Sequence, residues 1–265
     1  MRLRSCFHPR PTTARWLLVA IALVLAPWSF GQTDESIRGT VTEKNGRPVV
    51  GVMVIGALGR TCCPFKREQT TTDQRGEFRL DQPGAVIHFY KDDFRPLALV
   101  LRPGTAEFRV TIETSEGGLI VPACSDSIRN QKLIGWGDYG VHFAVPEREV
   151  KMEGGKPDVD YVRYVIKPRA GESWLEFWFG PYAMSTEPDD EQFVNSVDFS
   201  QRNVEASKGK SFGIDSSGRF ANGRRWRQTA ILGQGGARYL DAAETDANLF
   251  DRIIDSICLV PHPNQ

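Results

Sequence analysis

Residues 39–54 read GTVTEKNGRPVVGVMV, and residues 72–80 read TDQRGEFRL. In the first stretch two apolar runs flank Asn45-Gly46, a pair that supplies the positive φ a tight hairpin turn needs. In the second, Asp73-Gln74-Arg75-Gly76 is a turn, and Phe78 and Leu80 alternate with polar neighbours. Such alternation gives a strand one buried and one wet face.

Reading outward, short runs recur at Ile37–Val41, Val49–Leu58, Arg67–Thr72, Glu77–Leu80, Ala85–Tyr90, Leu97–Leu101 and Phe108–Glu113. Gln82-Pro83-Gly84 and Pro103-Gly104 punctuate them. Phe108, Val110 and Ile112 alternate with Arg109 and Thr111. Seven strands at this spacing, with no helical period, predict a seven-stranded antiparallel β-sandwich over residues 36–114.

The same residues carry a family resemblance. Gly39-x-Val41 followed by Asn45-Gly46-x-Pro48-Val49-x-Gly51-x-x-Val54 resembles the opening of carboxypeptidase regulatory-like domains, which are transthyretin-like (prealbumin-like) β-sandwiches. Thr72-Asp73-x-x-Gly76-x-Phe78-x-Leu80 resembles that family's second signature. Phe94-Arg95-Pro96 stands where the family often has Gly-aromatic-x-Pro, with Asp93 in the glycine's place. The resemblance covers under a third of the chain and implies a fold. Gly39, Gly46, Pro48, Gly51, Asp73, Gly76 and Phe78 have turn or core roles, so it implies an appendage or scaffold and no peptidase chemistry.

Composition sets the wider frame. Hydrophobic residues are 40% of the 265 and charged residues 25%, a globular balance. Residues 1–31 form an export signal. A basic, acid-free segment ends at Arg15, Trp16–Ala26 is apolar, and Ser29-Phe30-Gly31 offers small residues for cleavage. The apolar run is too short to span a bilayer. Cleavage removes Arg2, Arg4, Arg10 and Arg15, so 33 basic residues fall to 29 against 33 acidic, a formal charge of −4. That balance gives no footprint for nucleic acid, and no stable membrane anchor is expected after cleavage. The basic cluster Arg224, Arg225 and Arg227 reads as a solvated face. The protein is expected to be secreted or periplasmic.

Cys62, Cys63, Cys124 and Cys258 then remain. An even number in an exported chain favours disulfides. Pairing Cys124 with Cys258 ties together the ends of the second half. The adjacent Cys62 and Cys63 form either a vicinal disulfide or two free thiols. No spacing suggests a metal site.

Ser115-Glu116-Gly117-Gly118 reads as a linker to a second unit, residues 118–262, of no recognised family. Strands are expected at Tyr139–Val145, Tyr161–Lys167, Ser173–Phe179, Trp226–Leu232 and Ala237–Leu240. Leu249, Phe250, Ile253, Ile254 and Ile257 then fall on one helical stripe. Asp241 with Glu244, or Thr245, is expected to cap this helix. The unit is predicted to be an α+β domain, an antiparallel sheet with a C-terminal amphipathic helix, and the whole chain mainly β.

No nucleophile elbow, zinc helix or phosphate loop occurs. Gly135-Trp136-Gly137-Asp138-Tyr139-Gly140 matches a dinucleotide pattern literally, but a strand follows where a helix is required, so it reads as a turn. His88 and His142 lie in apolar strands as structural histidines. Asp158-x-Asp160 and Asp189-Asp190-Glu191 read as solvated loops. Trp136, Tyr139, Trp174 and Trp226 are the candidate binding residues, because exposed aromatic rings stack on sugars or anchor peptides; the alternative is that they are core, since a domain this size buries several. No cofactor, metal or catalytic residue is assigned.

Three functions are open at this stage. One is a non-catalytic exported protein that binds an envelope protein or carbohydrate. The others are an extracytoplasmic hydrolase with its site in the second unit, and a structural spacer. If the leader is read correctly, N-terminal sequencing of the exported protein will begin at Gln32. A mature chain still carrying residues 16–26 would contradict cleavage.

Overall fold

The computed structural model describes residues 36–56, 68–81, 83–115, 117–125, 128, 131–135, 140–157, 161–180, 190–206, 211–231 and 234–260. The leader, Cys62, Cys63, Trp136, Tyr139, Asp158, Asp160 and Asp189 lie outside them. The protein is mainly β, in several sheets, with two helices among the described elements.

The first unit holds β1 (Ile37–Thr42), β2 (Met53–Gly56), β3 (Glu68–Thr71), β4 (Glu77–Leu80), β5 (Val86–Tyr90), β6 (Leu97–Val100) and β7 (Glu107–Thr111). They form a three-stranded sheet, β4-β1-β7, and a four-stranded sheet, β3-β2-β5-β6. Val41, Val54, Phe78, Phe89 and Val110 belong to one buried cluster fed by both sheets. The expectation of purely antiparallel pairing needs correction, because β1 and β7 run parallel. Between β4 and β7 the chain crosses to the other sheet for β5 and β6, so β7 returns in the direction of β1.

The quoted turns are built as their residues require. The Asp73 carboxylate accepts from the backbone N–H of Arg75 and Glu77 at 2.8 and 2.9 Å. Asn45 Oδ1 accepts from Arg47 N–H at 2.8 Å. Gly76 has φ +73°, and a Cβ there would sit 2.4 Å from the Val41 carbonyl oxygen, so a side chain is excluded twice. Asp93 adopts φ 66°, the left-handed conformation that glycine would otherwise supply.

The second unit starts with β8 (Leu119–Val121), β9 (Lys132–Gly135), β10 (Gly140–Val145), β11 (Val150–Pro157), β12 (Val162–Pro168) and β13 (Leu175–Phe179). Next come α1 (Asp190–Asn195), β14 (Ser196–Ala206), β15 (Ser211–Phe220), β16 (Arg225–Ile231), β17 (Gly235–Ala242), α2 (Glu244–Asp255) and β18 (Cys258–Val260). An eight-stranded sheet runs β11-β12-β13-β17-β16-β15-β14-β8, and a smaller one β18-β10-β9. All its neighbours are antiparallel except β8 and β14, which are parallel. Gly135 closes β9 and Gly140 opens β10 in an antiparallel pair, so a strand follows the glycine-rich stretch.

Helix α2 buries Ala247, Leu249, Phe250, Ile253 and Ile254 in a core shared with Phe143, Phe177, Phe179 and Tyr239. Its expected side-chain cap is absent. Ala243 is the N-cap, with no side-chain hydrogen bond. Asp241 instead pairs with Arg224 through both its carbonyl and its carboxylate.

Residues 33–265 form one compact unit. Ser115 Oγ donates to the Glu205 carboxylate at 2.8 Å, and Asn203 Nδ2 donates to the Phe94 carbonyl at 3.0 Å. Val86 and Ala98, on the outer face of the four-stranded sheet, are buried with Phe193 of α1 and Trp226 of β16.

The described sulfurs of Cys124 and Cys258 are joined. The disulfide spans 134 residues, and Cys124 N–H and Leu259 N–H exchange backbone hydrogen bonds with Leu259 and Pro122 across it. A loop that long restricts the unfolded chain strongly, so Cys124→Ala/Cys258→Ala is expected to cost about 2–5 kcal/mol. Urea unfolding of the chain begun at Gln32 measures this. An unchanged midpoint would place the stabilisation elsewhere.

Candidate functional site: an arginine-lined cleft at the junction

Strands β14, β15 and β16 present one row of side chains toward α2. Cross-strand register sets Arg202 opposite Asp215, Asp215 opposite Thr229, and Arg227 opposite Tyr239. Residues that alternate along a strand share a face, so Arg225, Arg227 and Thr229 stand together. Helix α2 brings Glu244, Asn248, Asp251 and Asp255, which recur every three or four residues along its polar flank.

Arg227 is the centre of this arrangement, with a side chain only 5% exposed. Its Nε and Nη2 donate to the two Asp215 oxygens at 2.9 and 3.0 Å. Nη1 reaches Asp251 at 3.1 Å, and Nη2 also reaches Asp255 at 2.6 Å. Asp215 further accepts from Arg202 Nε at 2.7 Å and from the Thr229 hydroxyl at 2.6 Å. Asp251 accepts from Tyr239 at 2.9 Å and from Arg225.

Burial pushes the Asp215 carboxyl upward, but Arg227, Arg202 and the Thr229 hydroxyl outweigh it and hold the group below the ordinary carboxylate range. For Arg227 burial acts downward and is overcome by Asp215 and Asp255, so the guanidinium titrates above its ordinary value. Burial and the nearby Asp251 charge push the Tyr239 hydroxyl well above its ordinary value. Asp215, Arg227 and Tyr239 therefore each keep one protonation state near neutrality.

Over this network lies a cleft of about 260 Å³. Its walls are the guanidinium groups of Arg95, Arg202, Arg225 and Arg227, the carboxylates of Asp215 and Asp251, and Ser200 and Ser217. Arg95 comes from the first unit, and its Nε donates to the Gln201 carbonyl at 2.7 Å. An adjoining cleft of about 290 Å³ shares Ser200, Ser217 and Arg225 and adds Asp198, Phe199 and Arg219.

The four candidate aromatic residues do not form a described platform. Trp174 is 51% exposed at the start of β13. Trp226 is fully buried, so it takes the core alternative and not the binding one. Its ring meets Phe193 edge-on at 5.5 Å, and its indole N–H donates to Ser196 Oγ at 2.7 Å. It faces the junction because the neighbouring first-unit sheet covers that side of β16. Trp136 and Tyr139 are outside the described residues, as are Cys62 and Cys63.

The reading of Arg224, Arg225 and Arg227 as a solvated face is also corrected. Arg227 is buried and Arg225 has a side chain 22% exposed. The available signal was the polar stripe Glu244, Asn248, Asp251 and Asp255 beside the apolar stripe of the same helix. Of these, Asp251 is the half-buried one and needs donors opposite. His88 lies buried between the rings of Tyr90 and Phe193, and His142 is buried beside the Gly140 carbonyl.

No known protein-family model, curated protein or solved structure matches this chain.

A lowered folded-state pKa stabilises the fold above the unfolded value and loses that contribution as pH falls through the folded one. The Asp215 contribution is thus complete near neutrality and fades below about pH 4. Asp215→Asn is expected to cost about 3–5 kcal/mol at pH 7, because Arg227 keeps its buried charge with less compensation. It should also flatten the acid limb of the stability curve. Urea unfolding from pH 7 to pH 3 reads both, and a parallel acid limb in the variant would refute the assignment.

Proposed function

We propose that this chain is an exported, non-catalytic binding protein. In this reading the first unit is a carboxypeptidase regulatory-like seven-stranded β-sandwich, the second an α+β domain, and the partner a protein or carbohydrate of the cell envelope. The observation that carries the binding reading is the cleft at the junction, where polar side chains from both units converge on one surface. Concave sites with a few convergent polar groups are where ligands bind.

The chemistry favours binding over hydrolysis. General acid–base catalysis uses a group whose pKa lies near the working pH. Asp215 is held low, and Tyr239 and Arg227 are held high. The Asp215 oxygens are also saturated by three donors' side chains, which leaves no lone pair to take a substrate proton. The sandwich assignment is supported by the turn hydrogen bonds of Asn45 and Asp73 and by Gly39, where a Cβ would meet the Phe78 ring at 2.7 Å.

The test uses the chain from Gln32 on glycan and peptide arrays, beside a panel of nitrophenyl esters, phosphates and glycosides. Saturable binding, weakened in Arg225→Gln, with no turnover above buffer, is the expected result. Turnover that disappears in Asp251→Asn would overturn the non-catalytic reading.

A further inference from the structure

The junction cleft has spent its acceptors and kept its donors. Asp215 takes two hydrogen bonds on each oxygen: Oδ1 from Arg227 and Thr229, Oδ2 from Arg202 and Arg227. Asp251 takes two on Oδ1 and one on Oδ2. A carboxylate offers about four acceptor positions, so little capacity remains. The guanidinium groups are less fully used. Among the described residues Arg95 Nη1 and Nη2 donate to nothing, nor do Arg202 Nη1 and Arg225 Nε. The Ser200 and Ser217 hydroxyls lie 3.3 Å apart, and a single bond between them leaves one O–H unspent.

A surface with spare donors and saturated acceptors is complementary to a group that only accepts. Guanidinium forks match a planar carboxylate, and such charge-assisted pairs are the strong ones. The adjoining cleft adds one unspent acceptor beside Arg219 and Arg225. Asp198 lines it, is exposed, and its carboxylate makes no hydrogen bond or ion pair among the described residues. A carboxylate there accepts hydroxyl donors. The two clefts share Ser200, Ser217 and Arg225, so one ligand reaches both.

We propose that this double cleft binds an acidic saccharide, with a sugar carboxylate on Arg95, Arg202 and Arg225 and sugar hydroxyls on Asp198 and the two serines. The proposal rests on the binding reading above and names its ligand class. It assigns Arg95 a recognition role, so the first unit contributes directly to the site. Arg227 stays structural, since its three nitrogens are all committed.

Titration calorimetry of the chain from Gln32 with trigalacturonate tests this, with maltotriose and triglutamate as comparisons. Trigalacturonate is expected to bind, with maltotriose at least tenfold weaker and affinity falling as salt rises. Arg95→Gln removes the free Nη donors and the single Nε bond to the Gln201 carbonyl, and should weaken binding at least fivefold while lowering the melting temperature by no more than a few degrees. Asp198→Asn should weaken it less. Absent trigalacturonate binding, unchanged affinity in Arg95→Gln, or equal binding of maltotriose or triglutamate overturns the inference. Maltotriose or triglutamate binding would still leave the binding reading standing. Release of new reducing ends from trigalacturonate would instead overturn the non-catalytic reading.

Discussion

The buried pair of Arg227 and Asp215 constrains everything near it. Two charges taken out of water recover their hydration only through close, complete hydrogen bonding. Arg227 has three nitrogens and Asp215 four lone-pair positions, and neither satisfies the other alone. Arg202 and Thr229 complete the carboxylate, while Asp251 and Asp255 complete the guanidinium. Helix α2 must therefore lie with its polar flank over β15 and β16, which orients its apolar stripe onto Phe177 and Tyr239. The cleft is what remains where this network meets solvent.

The junction core has a different physical origin. The first unit cannot bury both faces of its four-stranded sheet within itself. Val86, His88 and Ala98 point away from its own core, and Phe193, Trp226 and Phe199 supply the missing contacts. A sheet face of this kind needs a second layer. The same packing carries Arg95 to β14, where its Nε donates to the Gln201 carbonyl. The position of Arg95 in the cleft is thereby coupled to the integrity of an apolar interface.

Legibility followed the alternation of polarity. Strands β1 to β7 stood out because Val41, Phe78 and Val110 alternate with polar neighbours that do face water. Helix α2 stood out by its apolar stripe. Strands β14 and β15 did not, because SVDFSQRNVEA and SFGIDSSGRF carry polar residues on both faces. One face meets the ion network and the other, with Gln201, Ser216 and Asn203, meets the junction. The network face is polar and partly exposed, and the junction face mixes Phe199 with Gln201 and Asn203, so period-two patterning is lost. Trp226 is core because the first-unit sheet covers its side of β16. The cleft escaped notice because its parts, Arg95, Arg202, Asp215 and Asp251, are scattered across the chain.

The bond between Cys124 and Cys258 has a bearing on how the chain comes into being. A ribosome adds roughly 5–20 residues per second. Cys124 therefore exists for something like ten seconds before a partner 134 positions later has been made. Cys62 and Cys63 are already present during that interval and compete for it. The native crosslink is thus among the last of the available pairings to become possible, and thiol exchange has to correct any earlier choice.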